Sequence, residues 1–494
     1  MMWLVTGEHR RTWLVIGAAA ALSALLRMRM LWSAVSVDEG GYLAAARAWA
    51  HGHVLYRDIF IDRPQGLLVL FRFWDWISGG NTASIRILAM LFGALLVVAT
   101  GIIVRETVGD RAARYAAVLC AIVSAAPVLE GYAANAELLS GAVAAAGLAL
   151  GVLALSKKRP LPWFFASGLV AGLALSLKQS AFDGLLTLAT WLIAVAVVSV
   201  ADRRRALRAL AVAGAGVISV IVLLVVHGAL TGWSRWWTAV VGYRLRTQSL
   251  FASAEWSNMV RVAPYAIVVL GASVVPVVIG TRWAIRDLRR TGGPTLTAAP
   301  LMLVLWLGWA STSFFVGGGF WRHYWMLLMG PLSALAGVGI SRLPRLGPLA
   351  AAIVVVPCLA VTSWVYAADR TQLNIRAAAD HRAMVDEHVA AWFNSHREPG
   401  ESLYALCGSA AVYADAHQDP EYPFLWQLET LLGANAQNRL VAYLSDPRTA
   451  PHYVAEYQSP KWCDRSGRVG RIMNQWYHKV AVVGSVTIFK RAVP

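Results

Sequence analysis

Eleven apolar runs of roughly 15 to 22 residues punctuate this chain, at about 12–32, 83–104, 112–128, 136–155, 163–177, 182–200, 209–230, 259–280, 299–316, 324–340 and 348–367. A run of that length, coiled as an α-helix, approaches the ~30 Å hydrocarbon thickness of a bilayer. In lipid, only helices and closed barrels satisfy every backbone N–H and C=O. The runs lack the two-residue alternation of barrel strands. The expected fold class is therefore a polytopic α-helical membrane protein with about eleven transmembrane helices. Composition agrees: 14% of residues are charged, where a soluble chain carries about 25%.

Charge placement sets an expected orientation. The formal net charge is +17, but the cations come in short blocks between apolar runs. Examples are Lys157, Lys158 and Arg159, then Arg203, Arg204, Arg205 and Arg208, then Arg282, Arg286, Arg289 and Arg290. That is the pattern of cytoplasmic loops and anionic lipid, not of a nucleic-acid surface. With the N-terminus cytoplasmic, these blocks all fall inside, and an odd number of spans puts the tail outside. The expected location is the plasma membrane.

From about 369 the lipid-length runs stop and polar residues return. We expect two domains: a transmembrane module over 1–368, with its first outer loop at about 33–82, and a small extracytoplasmic α/β domain over 369–494. A helix is expected at 381–396 and strands at 402–407 and 480–491. Cys407 and Cys463 lie in this polar region, where an oxidising compartment would let them pair. Cys120 and Cys358 lie in apolar runs, as buried thiols do.

The stretch Ser36–Gly66 concentrates ionisable groups: Asp38, Glu39, Asp58 and Asp62, with Arg47, Arg57 and Arg63 between them. Such density between two spans marks a functional site. Asp38 and Glu39 admit two readings. They cap the following helix electrostatically, or one of them takes a proton from an attacking hydroxyl. Leu67–Ile77 mixes aromatic residues with Arg72 and Asp75, as a helix lying in the interface does. Asn135 reads as an N-cap, and Glu137 adds an acid on the same outer face. Lys178 sits in a very short outer turn. Arg322, His323 and Tyr324 follow three glycines, and arginine suits bidentate phosphate contacts. There is no phosphate-binding G-x-x-x-x-G-K-[ST] loop, no H-E-x-x-H and no C-x-x-C pair. This argues against an ATP-driven pump and a zinc hydrolase.

In order along the chain, these residues resemble the glycosyltransferase family 39 type of GT-C membrane glycosyltransferases, which includes protein O-mannosyltransferases and bacterial aminoarabinose transferases. Asp38-Glu39-Gly40-Gly41-Tyr42 is similar to the family's first-loop acidic motif. Tyr56-Arg57-Asp58 and Asp62-Arg63-Pro64 resemble its Y-R-D…D-x-K-P-P segment, with Arg63 in place of Lys, Gln65 in place of the second Pro and Asp62 directly before Arg63. Ser84-Ile85-Arg86 resembles S-x-R. Asn135 and Glu137 fall at its second outer acidic site. Gly172 to Gln179 resembles G-L-A-x-x-x-K-Q, and His323-Tyr324 with Pro331 resembles H-Y-x-x-x-x-x-P, with one residue more before the Pro. The similarity covers roughly 30–340.

The resemblance implies a GT-C-like fold, a polyprenyl-phosphate sugar donor, transfer on the outer face to a lipid, glycan or protein acceptor, and inversion at the anomeric carbon. It assigns the base to Asp38, with Glu39 assisting. Tyr42, Arg57, Asp58, Asp62, Arg63, Glu137, Lys178, Arg322, His323 and Tyr324 are then expected around substrate, with Lys178 and Arg322 on the donor phosphate. A divalent cation is a candidate cofactor, with Glu39 and Glu137 its candidate ligands. The alternatives are a lipid-linked sugar flippase and a non-catalytic scaffold. A flippase would place its ionisable groups at mid-membrane, whereas these acids lie in outer loops.

Overall fold

The computed structural model describes residues 7–492, with 248–255 as backbone alone. Fourteen helices build the membrane portion: α1 (Gly7–Met28), α2 (Val37–Ala50), α3 (Gln65–Ile77), α4 (Ile85–Thr107), α5 (Asp110–Val123), α6 (Ala136–Ala154), α7 (Leu161–Leu177), α8 (Asp183–Val198), α9 (Arg203–Trp237), α10 (Tyr243–Leu270), α11 (Val274–Thr291), α12 (Leu301–Gly317), α13 (Met326–Ser341) and α14 (Gly347–Tyr366). Every apolar run overlaps one of them; 12–32, 83–104, 112–128 and 324–340 extend into adjoining 3₁₀ turns, and 259–280 is shared by the end of α10, a 3₁₀ turn and the start of α11.

Seven helical stretches have both the length and the apolarity to cross a bilayer, and α7, α8 and α12 are shorter apolar helices. At 14 residues, α5 is shorter still, about 21 Å at 1.5 Å per residue. It packs among α1, α4 and α13, so protein rather than lipid covers it. Around the bundle the outward side chains are large and apolar, among them Leu223, Leu230, Ile353 and Val356. Exposed hydrophobic residues on this scale suit a hydrocarbon solvent. In contrast, α13 is almost wholly buried against α5 and α11.

Lipid supplies no hydrophobic drive between helices, so close packing of small residues must hold them together. At the α7–α9 crossing, a Cβ on Gly168 would collide with the Ala213 carbonyl. We expect Gly168→Val to force these backbones apart and to destabilise the bundle by about 1–3 kcal/mol. Thermal unfolding in detergent, compared with Gly214→Ala, where a Cβ meets open space, checks this.

α2 and α3 stand apart from the bundle helices. α3 buries Leu67, Leu68 and Phe71 on one face and exposes Val69, Phe73 and Trp76 on the other. This is the amphipathic pattern of an interfacial helix. Asp75 on α3 binds Arg47 of α2 at 2.8 Å.

Beyond α14 come α15 (Arg370–Ala378), α16 (Ala383–His396), α17 (Ala411–Asp415) and α18 (Gln427–Leu432), with β1 (Leu403–Leu406), β2 (Tyr453–Glu456), β3 (Tyr477–Val483) and β4 (Val486–Arg491). The sheet order is β1-β2-β4-β3, with β1 parallel to β2 and the other pairs antiparallel. A two-residue turn at Gly484-Ser485 joins β3 to β4, with Gly484 at φ 59°, as tight hairpins require. Cys407 and Cys463 form a disulfide, with Cα atoms 5.6 Å apart. Cys120 and Cys358 are buried free thiols.

Candidate active site

Ser36 ends the extended chain and caps α2. Its hydroxyl accepts from the Glu39 N–H at 3.3 Å, and the Glu39 carboxylate accepts from the Ser36 N–H at 2.9 Å. This reciprocal box fixes the first turn of the helix. Glu39 then turns inward. The Arg86 guanidinium reaches both its oxygens at 3.0 Å, and the Ala134 N–H donates at 2.8 Å. Arg86 also donates to the Met30 and Ala34 carbonyls and to the Ser33 hydroxyl, and it lies over the Tyr132 ring.

Glu39 is fully buried and borders none of the cavities around Asp38. The structure thus corrects the expectation that it assists catalysis or binds metal. The helix-capping reading belongs to Ser36 and Glu39, not to Asp38.

Asp38 points the other way, into two adjoining cavities. One, of about 370 Å³, is lined by Asp38, Tyr42, Asp62, Arg63, Tyr243, Arg244, Tyr324 and Glu429 among others. The second, of about 710 Å³, runs from Asp38 past Glu130, Asn135, Tyr265 and Arg322. His323 and Trp426 border both. The Trp426 indole N–H donates to Asp38 Oδ1 at 3.1 Å, and Asp38 Oδ2 lies 4.0 Å from His323 Nε2. Burial pushes the Asp38 carboxyl above its ordinary value, against the pull of His323 and Arg63.

His323 is the hub of this wall. Its Nδ1 is 2.6 Å from Glu130 Oε2, and its Nε2 is 3.7 Å from Glu137 Oε2. Glu130 holds its place with a left-handed backbone at φ 56°. Glu137 ion-pairs with Lys178, whose ammonium stacks over the Tyr324 ring at 4.0 Å. Burial lowers the Lys178 ammonium to about 8, with Glu137 opposing that shift.

The loop before α3 brings up the cations. Asp58 accepts from the Val54 N–H at 2.8 Å and pairs with Arg57, folding the loop tip. The Phe60 N–H donates to the Pro423 carbonyl at 2.8 Å, which ties the loop to the C-terminal region. Asp62 then holds Arg63 and Arg244, each at 2.6 Å. Burial alone would raise its carboxyl, but Arg244 and Arg63 outweigh that and hold it below the ordinary range. Gln179 donates to the carbonyls of Asp62 and Val240, each at 2.8 Å. Arg63, Lys178 and Arg244 also line a neighbouring cavity of about 200 Å³.

The structure therefore brings together Asp38, Tyr42, Asp62, Arg63, Glu137, Lys178, His323 and Tyr324. Arg57 and Asp58 border none of these cavities; they pair with each other and shape the loop. Arg322 is also displaced from its expected place beside Lys178. It donates to the Val128 and Ala377 carbonyls and stacks on Tyr265, in the larger cavity.

Neither expected metal ligand suits a cation, because Arg86 already neutralises Glu39 and Lys178 neutralises Glu137. Among the described residues no group of three or more His, Cys, Asp or Glu could hold a metal ion.

Several lining residues carry no signal in the sequence: Glu130, Tyr243, Trp426 and Glu429. Trp426 and Glu429 reach the chamber from the C-terminal region, which docks closely on α2 where two glycines leave room. Cβ atoms on Gly40 and Gly41 would strike Ala411 and the Trp426 ring.

Residues 62–228 match the family model described as dolichyl-phosphate-mannose-protein mannosyltransferase. The fold is similar over almost the whole chain to ArnT from Cupriavidus metallidurans bound to undecaprenyl phosphate, with TM-score 0.61, 13% identity, and coverage of 97% of this chain and 98% of that one. It is also similar to the archaeal oligosaccharyltransferase AglB from Archaeoglobus fulgidus in complex with an inhibitory peptide and a dolichol-phosphate, with TM-score 0.58, 13% identity, and coverage of 98% and 75%. No curated protein sequence matches the chain significantly.

Proposed function

We propose that this chain, which has the fold of the GT-C membrane glycosyltransferases, transfers a sugar from a polyprenyl-phosphate donor to an acceptor hydroxyl on the outer face of the membrane. One observation carries the reading. A carboxylate with an uncommitted oxygen, Asp38, shares a chamber with the Arg63–Arg244 pair, and Lys178 lines a neighbouring cavity with the same arginines. The polyprenyl phosphates in the structures of ArnT and AglB fit the cationic side.

The chemistry follows from that division. The acceptor oxygen attacks the anomeric carbon from the face opposite the phosphate. The C–O bond to phosphate breaks, and the polyprenyl phosphate leaves with the bonding pair. The acceptor proton passes to Asp38. One displacement inverts the anomeric configuration. A phosphate leaving group needs no proton, only positive charge to stabilise the departing anion, which Arg63 and Arg244 supply. The larger cavity beyond Asp38 takes the acceptor. In this reading the N-terminus is cytoplasmic and residues 369–494 form the outer domain.

Incubating the purified protein with radiolabelled polyprenyl-phosphate sugars and candidate acceptors tests the reading. One donor is expected to yield glycosylated product and free polyprenyl phosphate. Hydrolysis of every donor without transfer, or no reaction with any, would overturn it.

Two further outcomes are expected. Arg244→Ala should weaken binding of the polyprenyl phosphate by at least about tenfold, since hydrogen bonds to charged groups contribute about 1.5–3 kcal/mol. Arg322→Ala should have a smaller effect, because that side chain is spent on backbone carbonyls. A titration of each variant with undecaprenyl phosphate compares them.

The second outcome concerns pH. A base acts only when ionised, so activity is present above its folded-state pKa and is lost as pH falls through it. Burial raises that value for Asp38. The acidic limb of kcat/KM should therefore lie above the ordinary Asp value of about 3.9. A limb at or below that value would point to a salt-bridged carboxylate such as Asp62 instead.

A further inference from the structure

Glu429 is a buried carboxyl on α18, 5% exposed, and it lines the 370 Å³ chamber with Asp62, Arg63 and Arg244. Its Oε2 is shut off from solvent and has no hydrogen-bond partner in the structure. Neighbouring acids do not share this condition. Glu39 is saturated by donors, Asp62 by two arginines and Glu137 by Lys178. An orphaned buried carboxyl oxygen is costly, and such a group persists where a ligand completes it.

The chamber constrains what that ligand is. A phosphate is excluded at Glu429 itself, because it would meet an acid there, while Arg63 and Arg244, which share Asp62, offer it cationic partners nearby. An ammonium is disfavoured by the same arginines. A neutral hydroxyl suits either protonation state, since it donates to a carboxylate and accepts from a carboxylic acid. The same short segment presents Trp426 to the chamber, and a flat aromatic wall beside a carboxyl is a surface for a polyhydroxylated ring. Glu429 borders the chamber with the arginines and not the larger cavity beyond Asp38. The ring concerned therefore belongs to the donor.

We propose that Glu429 binds a hydroxyl of the transferred sugar, so that the C-terminal region, and not only the transmembrane helices, selects which sugar is used. This rests on the donor reading given above. Glu429 is a specificity residue here: it touches the substrate and moves no proton in the reaction.

The test measures dissociation constants in nanodiscs for undecaprenyl phosphate and for the same lipid carrying mannose, glucose, galactose or arabinose. It compares the wild-type chain with Glu429→Leu and Glu429→Gln. The wild type is expected to bind at least one sugar-bearing lipid about tenfold more tightly than the bare lipid. Glu429→Leu should erase that preference while leaving bare-lipid affinity unchanged, and Glu429→Gln, which still offers a donor and an acceptor, should retain part of it. The proposal is overturned if Glu429→Leu keeps the preference. It is overturned equally if both affinities fall together, the mark of a structural role, or if no sugar improves wild-type binding. Failure of the wild type to bind bare undecaprenyl phosphate is a separate result, which removes the lipid-phosphate site itself.

Discussion

Asp38→Asn is expected to abolish transfer while the protein remains folded and able to bind donor. Asn keeps the size of the side chain and still accepts from the Trp426 indole through its amide oxygen, so packing against the C-terminal region survives. What it loses is the ability to take the acceptor proton. Positioned general bases contribute typically 10²–10⁴-fold, so turnover at saturating donor should fall by at least about 10²-fold. Asp62→Asn serves as the control in the same chamber. Asp62 is engaged by Arg63 and Arg244 at 2.6 Å each, so its loss should show mainly in donor binding. The measurement is product per unit of folded enzyme, with donor affinity determined in parallel. Near-normal turnover by Asp38→Asn would move the base to another carboxylate of the acceptor cavity, Glu130.

The second large effect is on stability. Arg86 is 1% exposed and its partner Glu39 is completely buried. Together they fasten α2 to α4, to the turn after α1 and to the loop before α6. Removing one member of a buried pair strands the other charge and costs about 3–5 kcal/mol. Arg86→Leu should therefore lower the thermal midpoint in detergent substantially and reduce the yield of monodisperse protein. The double variant Glu39→Gln, Arg86→Met should recover part of the loss, because no unpaired charge remains. A single variant as stable as the wild type would mean that water reaches Glu39.

The apolar runs were legible because lipid leaves the backbone few choices. Eleven runs could be marked, and each is mostly helical. The site was legible only in part. Asp38 and Glu39 are adjacent, yet neighbours on a helix diverge by about 100°, so one faces the chamber and the other the protein interior. Composition cannot assign those faces; Ser36 three residues before Glu39 is the local signal that does. The Ser84-Ile85-Arg86 motif finds its physical reason in the same pair. Gln65, the departure from a second proline, accepts from Trp236 at 3.0 Å and donates to the Leu224 carbonyl at 2.7 Å, tying the loop to α9. Arg322 was misplaced because its sequence position next to His323 says nothing about the two carbonyls that capture it. Trp426 and Glu429 had no signal at all, since they reach the chamber by tertiary docking from a region without a local pattern. β2 was missed because four residues between prolines and charges give no alternation to read.

The hydrogen bond from Trp426 to Asp38 spans 388 positions of sequence. Synthesis runs from the N-terminus, so the membrane bundle is complete before the residue that closes its chamber has been made. The aromatic wall of the chamber is therefore supplied by a segment made after every transmembrane helix. The first loop and the C-terminal region lie far apart in the sequence and must meet for the chamber to gain this wall.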